Sequence, residues 1–188
     1  LLETYPRKRK KLESDYNKIY KKFYYDNLNK KNFVSSLIKK METKYFHKPI
    51  SLHKGKKILE LGAGNLDHIQ FENFNSYDAV ELEKKYYKDN KVALKKINKI
   101  YDSIFQIPNH KKYDKILALF TLDVIDDLPK FLAKIGKLMT KNSIFYVGNS
   151  TIGSLSFSLS WRLTSGLNFF LKYGKNLGVL KEHESVNK

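Results

Sequence analysis

At 188 residues and 41% hydrophobic content the chain can bury one domain's core, with room for an appendage. It has no cysteine, which excludes disulfides and thiolate metal sites, and no apolar segment follows its basic N-terminus, so a cytoplasmic protein without a secretory signal is expected. The net charge of +17 suits nucleic acid, an acidic membrane surface or an acidic substrate, and it is concentrated early: residues 1–57 hold 17 Lys and Arg against 5 Asp and Glu.

In chain order, YPRKRKK (5–11) is a basic tail. Tyr16, Ile19, Tyr20, Phe23 and Tyr24 then recur at helical spacing, and Phe33, Val34, Leu37, Ile38, Met41 and Tyr45 repeat the pattern. Two amphipathic helices are expected, their aromatic stripes serving as core contacts or as a lid. The expected division is residues 1–48 as this cap and 49–188 as the main domain. KKILELG (56–62) reads as a short buried strand, followed by a polar helix-like stretch and a second strand at YDAVEL (77–82). YYKDNKVALKKI (86–97) reads as a helix, Lys99 to Phe105 as a weak third strand, and KYDKILALF (112–120) as a fourth. Asp127 and Pro129 open a helix whose buried face is Phe131, Leu132, Ile135, Leu138 and Met139, and SIFYVGN (143–149) is a fifth strand. Strands alternating with helices predict an α/β, doubly wound, mostly parallel sheet. Residues 142–161 carry no charge, but six serines and two glycines make that window too polar to span a membrane, and no transmembrane segment is expected.

LELGAGN (59–65) lies at the carboxyl end of the first strand, where such folds bind ligands. Gly62, Ala63 and Gly64 would let a ligand lie against bare backbone, with N–H groups of the next helix close by. A dinucleotide fingerprint would continue with a third glycine; Asp67 stands there instead. Glu60 and Asp67 disfavour a pyrophosphate and favour a ligand with a cationic amino group. Glu81 and Glu83 end the second strand, 17 and 19 residues past Gly64, where an acid can accept from both hydroxyls of a ribose. Asp102 and Ser103 follow the third strand, and Phe120 to Asp123 follow the fourth.

ILELGAGN, VELE, YDSIFQIP and ILALFTLDVIDDLPKFLAKIGKLM together resemble motifs of class I S-adenosylmethionine-dependent methyltransferases, over about residues 40–150. The resemblance implies a Rossmann-like fold with N-terminal helices and S-adenosyl-L-methionine as cofactor. It implies that Glu60, Gly62, Ala63, Gly64 and Asn65 line the cofactor, Glu81 its ribose, Asp102 and Ser103 its adenine, and that Phe120 faces the reacting end. The Asn65 to His68 stretch and residues 162–183 are similar to methyltransferases of bacterial surface-glycan clusters. The family sheet closes with strands six and seven, for which little sequence remains, so the chain is expected to lack them.

For the chemistry, His68 is a candidate general base or cofactor contact, with a structural hydrogen bond as the alternative. Asp123 is a candidate to orient a hydroxyl or amine, with a loop or capping role as the alternative. His183 and Glu182, Trp161 and Arg162 are further candidates for the acceptor side. The five histidines, His47, His53, His68, His110 and His183, are scattered without a ligand motif, and no metal is expected. The function expected is methyl transfer to a small molecule or glycan. Nucleic acid is a less favoured partner: LFTLDVID lacks the Pro-Pro element that amino-base methyltransferases use to hold a flipped base. A non-catalytic scaffold with the same fold and a nicotinamide oxidoreductase are the remaining rivals.

Overall fold

The computed structural model describes residues 33–122, 125–148 and 167–174, together with Lys18 and Lys22. The chain divides into two compact units, Lys31–Asn149 and a second made of Leu1–Lys30 with Ser150–Lys188. In the second, the helix Leu167–Tyr173 is described, ending at Gly174 with φ of +62°. Of the expected helix around residues 16–24 only Lys18 and Lys22 are described, both helical, and the 149–161 stretch lies outside the described residues.

The larger unit opens with α1 (Phe33–Glu42), which runs through one π-helical turn (Thr43–His47) into α2 (Lys48–Ser51). Five strands follow: β1 (Lys57–Leu61), β2 (Ser76–Val80), β3 (Lys99–Tyr101), β4 (Tyr113–Leu119) and β5 (Met139–Gly148). Their order in the sheet is β3-β2-β1-β4-β5 and every pairing is parallel. Each apolar run expected as a strand is one. The reason is burial on both faces: along β1, Leu59 and Leu61 enter one core with Val80, Ile116, Phe131 and Ile135, while Ile58 enters the other with Tyr77, Ala79 and Leu117.

The connections depart from the sequence reading in three places. The helix expected over 86–97 is two short turns, α3 (Lys84–Tyr87) and α4 (Lys91–Leu94). Asn90 breaks them apart, because its side chain accepts from the Ala93 N–H and caps the second turn. The polar stretch after the glycines is a 3-10 turn, Asp67–Phe71, entered through Leu66 at φ of +60°. β5 begins at Met139 rather than 143, directly where α5 (Leu128–Leu138) ends. The start of α5 is as expected: Asp127 accepts from the Lys130 N–H at 3.1 Å, and Pro129 sits in the first turn. Leu132, expected on the buried face, is 41% exposed. Among the described residues no helix is long and apolar enough to cross a membrane.

Candidate cofactor site

Parallel pairing brings the carboxyl ends of β1 to β4 to one edge of the sheet, and the loops leaving them meet there. The Gly62 and Ala63 N–H groups both donate to Val80 O, and the Glu81 N–H donates to Tyr101 O. Glu81 ties the loops further. Its Oε2 accepts from the Gly64 N–H at 2.8 Å and its Oε1 from the Glu83 N–H at 2.9 Å. The N–H groups of Gly62, Ala63 and Gly64 are therefore all engaged within the protein.

The two glycines serve different ends. Gly62 has φ of +66°, and a Cβ added there would lie 2.3 Å from Thr121 Oγ1, so its bareness makes room for the β4 loop. Thr121 occupies that space because its hydroxyl donates to Leu61 O at 2.9 Å. Gly64 has φ of +51° and, among the described residues, nothing within 4 Å of an added Cβ. The open approach expected of this turn is at Gly64.

Of the other residues singled out, Ala63 is buried in the core, and Asn65 is half-buried, donating to Asp67 Oδ1 at 3.1 Å and accepting from Asn90 Nδ2 through its carbonyl. Asp102 is exposed at the end of β3, and Ser103 caps the next turn by accepting from the Phe105 N–H. Phe120 has φ of +56°, unusual for a side chain of its size, and its N–H donates to Gly148 O at 2.6 Å. Its ring meets Phe46 of the π-helical turn edge-on, with centroids 5.1 Å apart. A Cβ added at Gly148 would come 3.0 Å from Leu119 Cδ2 and 3.4 Å from the Phe46 ring. Asp123, Trp161, Arg162, Glu182 and His183 lie outside the described residues.

Glu60 is 5% exposed and its Oε2 accepts from the Tyr77 hydroxyl at 2.9 Å. Burial pushes its pKa up to about 8; the Tyr77 hydrogen bond opposes this, while Asp67, Glu72 and Glu81 add to it. Burial also raises Glu81, against the N–H bonds from Glu83 and Gly64. Among the described residues the site is thus acid-lined and short of cations. That chemistry fits a ligand with a diol at one part and a positive centre at another.

His68 stands apart from these residues in its bonding. It is 1% exposed; its Nε2 donates to Glu72 Oε1 at 2.6 Å and its Nδ1 lies 2.8 Å from His47 Nδ1. A carboxylate only accepts, so in the neutral pair His47 donates and His68 Nδ1 accepts. Burial first, and His68 second, hold His47 down to about 4. Glu72 in turn receives Lys115 Nζ, a fully buried lysine of β4 that also donates to Ile50 O and His53 O. Both nitrogens of His68 are occupied in a chain that pins α2 and the π-helical turn to the sheet. Sequence reading missed this chain. Its signal was Lys115 itself, which shares a strand face with Leu117 and so needed a buried partner. It also missed Tyr77 and Thr121, whose partners are far in sequence.

No protein-family model matches the sequence, and no curated protein does. Among solved structures, the chain is similar to the plantazolicin methyltransferase BpumL in complex with a monoazolic desmethylPZN analog and SAH, with a TM-score of 0.54 and 15% identity. The same enzyme with a triazolic analog and SAH gives a TM-score of 0.50 at 18% identity. In both cases the match covers 93% of this chain and 62% of the other, so the chain spans about three fifths of their length. Coclaurine N-methyltransferase, bound to N-methylheliamine and SAH, matches at a TM-score of 0.44 and 19% identity, over 57% of this chain and 34% of that one.

Proposed function

Starting from a chain that has the fold of class I S-adenosylmethionine-dependent methyltransferases, we propose that it binds S-adenosyl-L-methionine at the carboxyl edge of β1 to β3 and transfers the methyl group to a small-molecule or glycan acceptor. The observation that carries the reading is the pairing of a bare, open Gly64 with the carboxylates of Glu60 and Glu81. An ionised carboxylate offers about four acceptor positions, so Glu81 can hold its two N–H groups and still accept from ribose hydroxyls. Exposed Asp102 and half-buried Ser103 are available to the adenine. When bound, the cofactor supplies an electrophilic methyl, and the protein's part is to orient it and the acceptor. Asp123 is the residue proposed to orient the acceptor, and His68 acts on the site through the helical cap it anchors. The assignment of residues 1–48 as a cap belongs to this proposal, and the contact of Phe46 with Phe120 supports it for the π-helical turn alone. An RNA acceptor is the second reading, favoured by the charge of the first 57 residues.

Calorimetric titration tests the proposal. S-adenosylmethionine and its demethylated product should bind with micromolar affinity, NADH should not, and Gly64→Val should abolish binding while the protein stays folded. Absence of binding by the folded chain would refute it. Turnover of glycans rather than RNA, with little salt dependence, would support the acceptor class; a steep loss of binding with salt would favour RNA.

A further inference from the structure

Glu60 sits in β1 between Ala79 of β2 and Leu117 of β4, two residues before Gly62. Its surroundings offer little to an ionised carboxylate. Tyr77, from β2, supplies one hydroxyl and is itself held well above the ordinary tyrosine range, so it brings no charge. Asp67 and Glu72, from the 3-10 turn and its end, and Glu81, from the end of β2, are all acids. The lysine on the same sheet face, Lys115, is fully used: Glu72 and the carbonyls of Ile50 and His53 take its three protons. A buried carboxylate among three others, with one hydroxyl donor and no cation in contact among the described residues, is held in its neutral form.

We infer that Glu60 carries a proton in the ligand-free protein and releases it to solvent when the cationic end of the cofactor enters the site, so that binding is coupled to the loss of one proton. This rests on the cofactor reading above. The O–H bond of the carboxylic acid breaks, its electrons stay on Glu60, and the incoming positive charge replaces the proton as the carboxylate's partner. Coupling of this kind makes affinity rise with pH until Glu60 is already ionised in the free protein, about pH 8.

The test is calorimetry of the full chain with S-adenosylhomocysteine and S-adenosylmethionine at pH 7, in buffers of different ionisation enthalpy. The observed heat should vary with buffer enthalpy with a slope near one proton released, and the slope should vanish as the pH passes above about 8. Kd should fall up to about tenfold per pH unit below that point. Glu60→Gln should lose both effects; the ligand's own amino group titrates equally in the two proteins, so the difference belongs to Glu60. A slope identical in wild type and variant overturns the inference. Should the variant not fold, infrared difference spectra of wild type decide: a protonated-carboxyl band must be present without ligand and disappear at saturation. Its absence from the ligand-free protein, or its persistence with ligand bound, overturns the inference, whereas failure of wild type to bind at all overturns the cofactor reading itself.

Discussion

Replacing Gly62 with alanine separates the two roles that the glycine turn combines. The added Cβ would stand 2.3 Å from Thr121 Oγ1 and 2.7 Å from its Cγ2, and the backbone would keep a φ of +66°. The left-handed conformation costs about 1 to 2 kcal/mol for a residue with a Cβ. Forcing a methyl into a filled space costs about 1 to 3 kcal/mol more. For a chain of this size each kcal/mol lowers Tm by roughly 2 to 4 °C, so Gly62→Ala should unfold roughly 4 to 20 °C below wild type in a thermal scan. Gly64→Ala carries only the backbone cost, because no atom of the described residues lies within 4 Å of its added Cβ. The collision with Thr121 is tested by a double-mutant cycle. In a Thr121→Ala background, where the offending hydroxyl and methyl are gone, Gly62→Ala should cost about 1 kcal/mol less or better. Equal losses at the two glycines, or a coupling energy of zero with Thr121, would refute the reasoning.

Glu60→Gln should also change the pH profile of stability. The folded-state pKa lies above the unfolded value, so the folded protein keeps a proton that the unfolded chain sheds, and wild type loses stability as pH rises from 4.5 to about 8. Urea titrations on either side of that window should show the decline in wild type and not in the variant. Glu72 has the opposite sign: burial raises it, but hydrogen bonds from His68 and Lys115 outweigh this and lower it, so its contribution is present above its ordinary pKa and lost in acid. Lys115→Met leaves the Glu72 carboxylate buried without its cation and should cost about 3 to 5 kcal/mol in chemical denaturation. Asp127→Ala removes a cap far from the glycine turn in sequence and should cost about 1 kcal/mol with cofactor affinity unchanged by calorimetry.

The sheet was legible because its signals are local. ILEL, YDAV and KILAL are apolar runs bounded by charge and glycine, and burial on both faces demands that pattern. The cap of α5 was legible for the same reason, since Asp127 bonds a neighbour three residues on. The connections were not. Residues 86–97 keep helical spacing, yet Asn90 spends its side chain on the Ala93 N–H and on Asn65 O, a contact 25 residues away. Nothing within the segment announces that the distant carbonyl is there to be met.

The same distinction explains what could be read of the site. Glu60, the glycines and Glu81 stand out by residue type and spacing, whereas the reasons they are tolerated lie elsewhere in the chain. Gly62 is bare because of Thr121, 59 positions on, and Glu60 is raised by its burial while Lys115, on the same sheet face, is committed to Glu72. Two acid clusters share this side of the sheet. One, Glu72 with His68 and Lys115, is fully paired and holds the helical entry against the strands. The other, Glu60 and Glu81, is bonded to a hydroxyl and to backbone N–H groups, with no cation in contact among the described residues. Burial of acids costs free energy that a paired cluster recovers within the protein and an unpaired one recovers only from a ligand. Burial raises the pKa of both Glu60 and Glu81, and on the proposed reading a cationic cofactor that meets them gains affinity by relieving that cost.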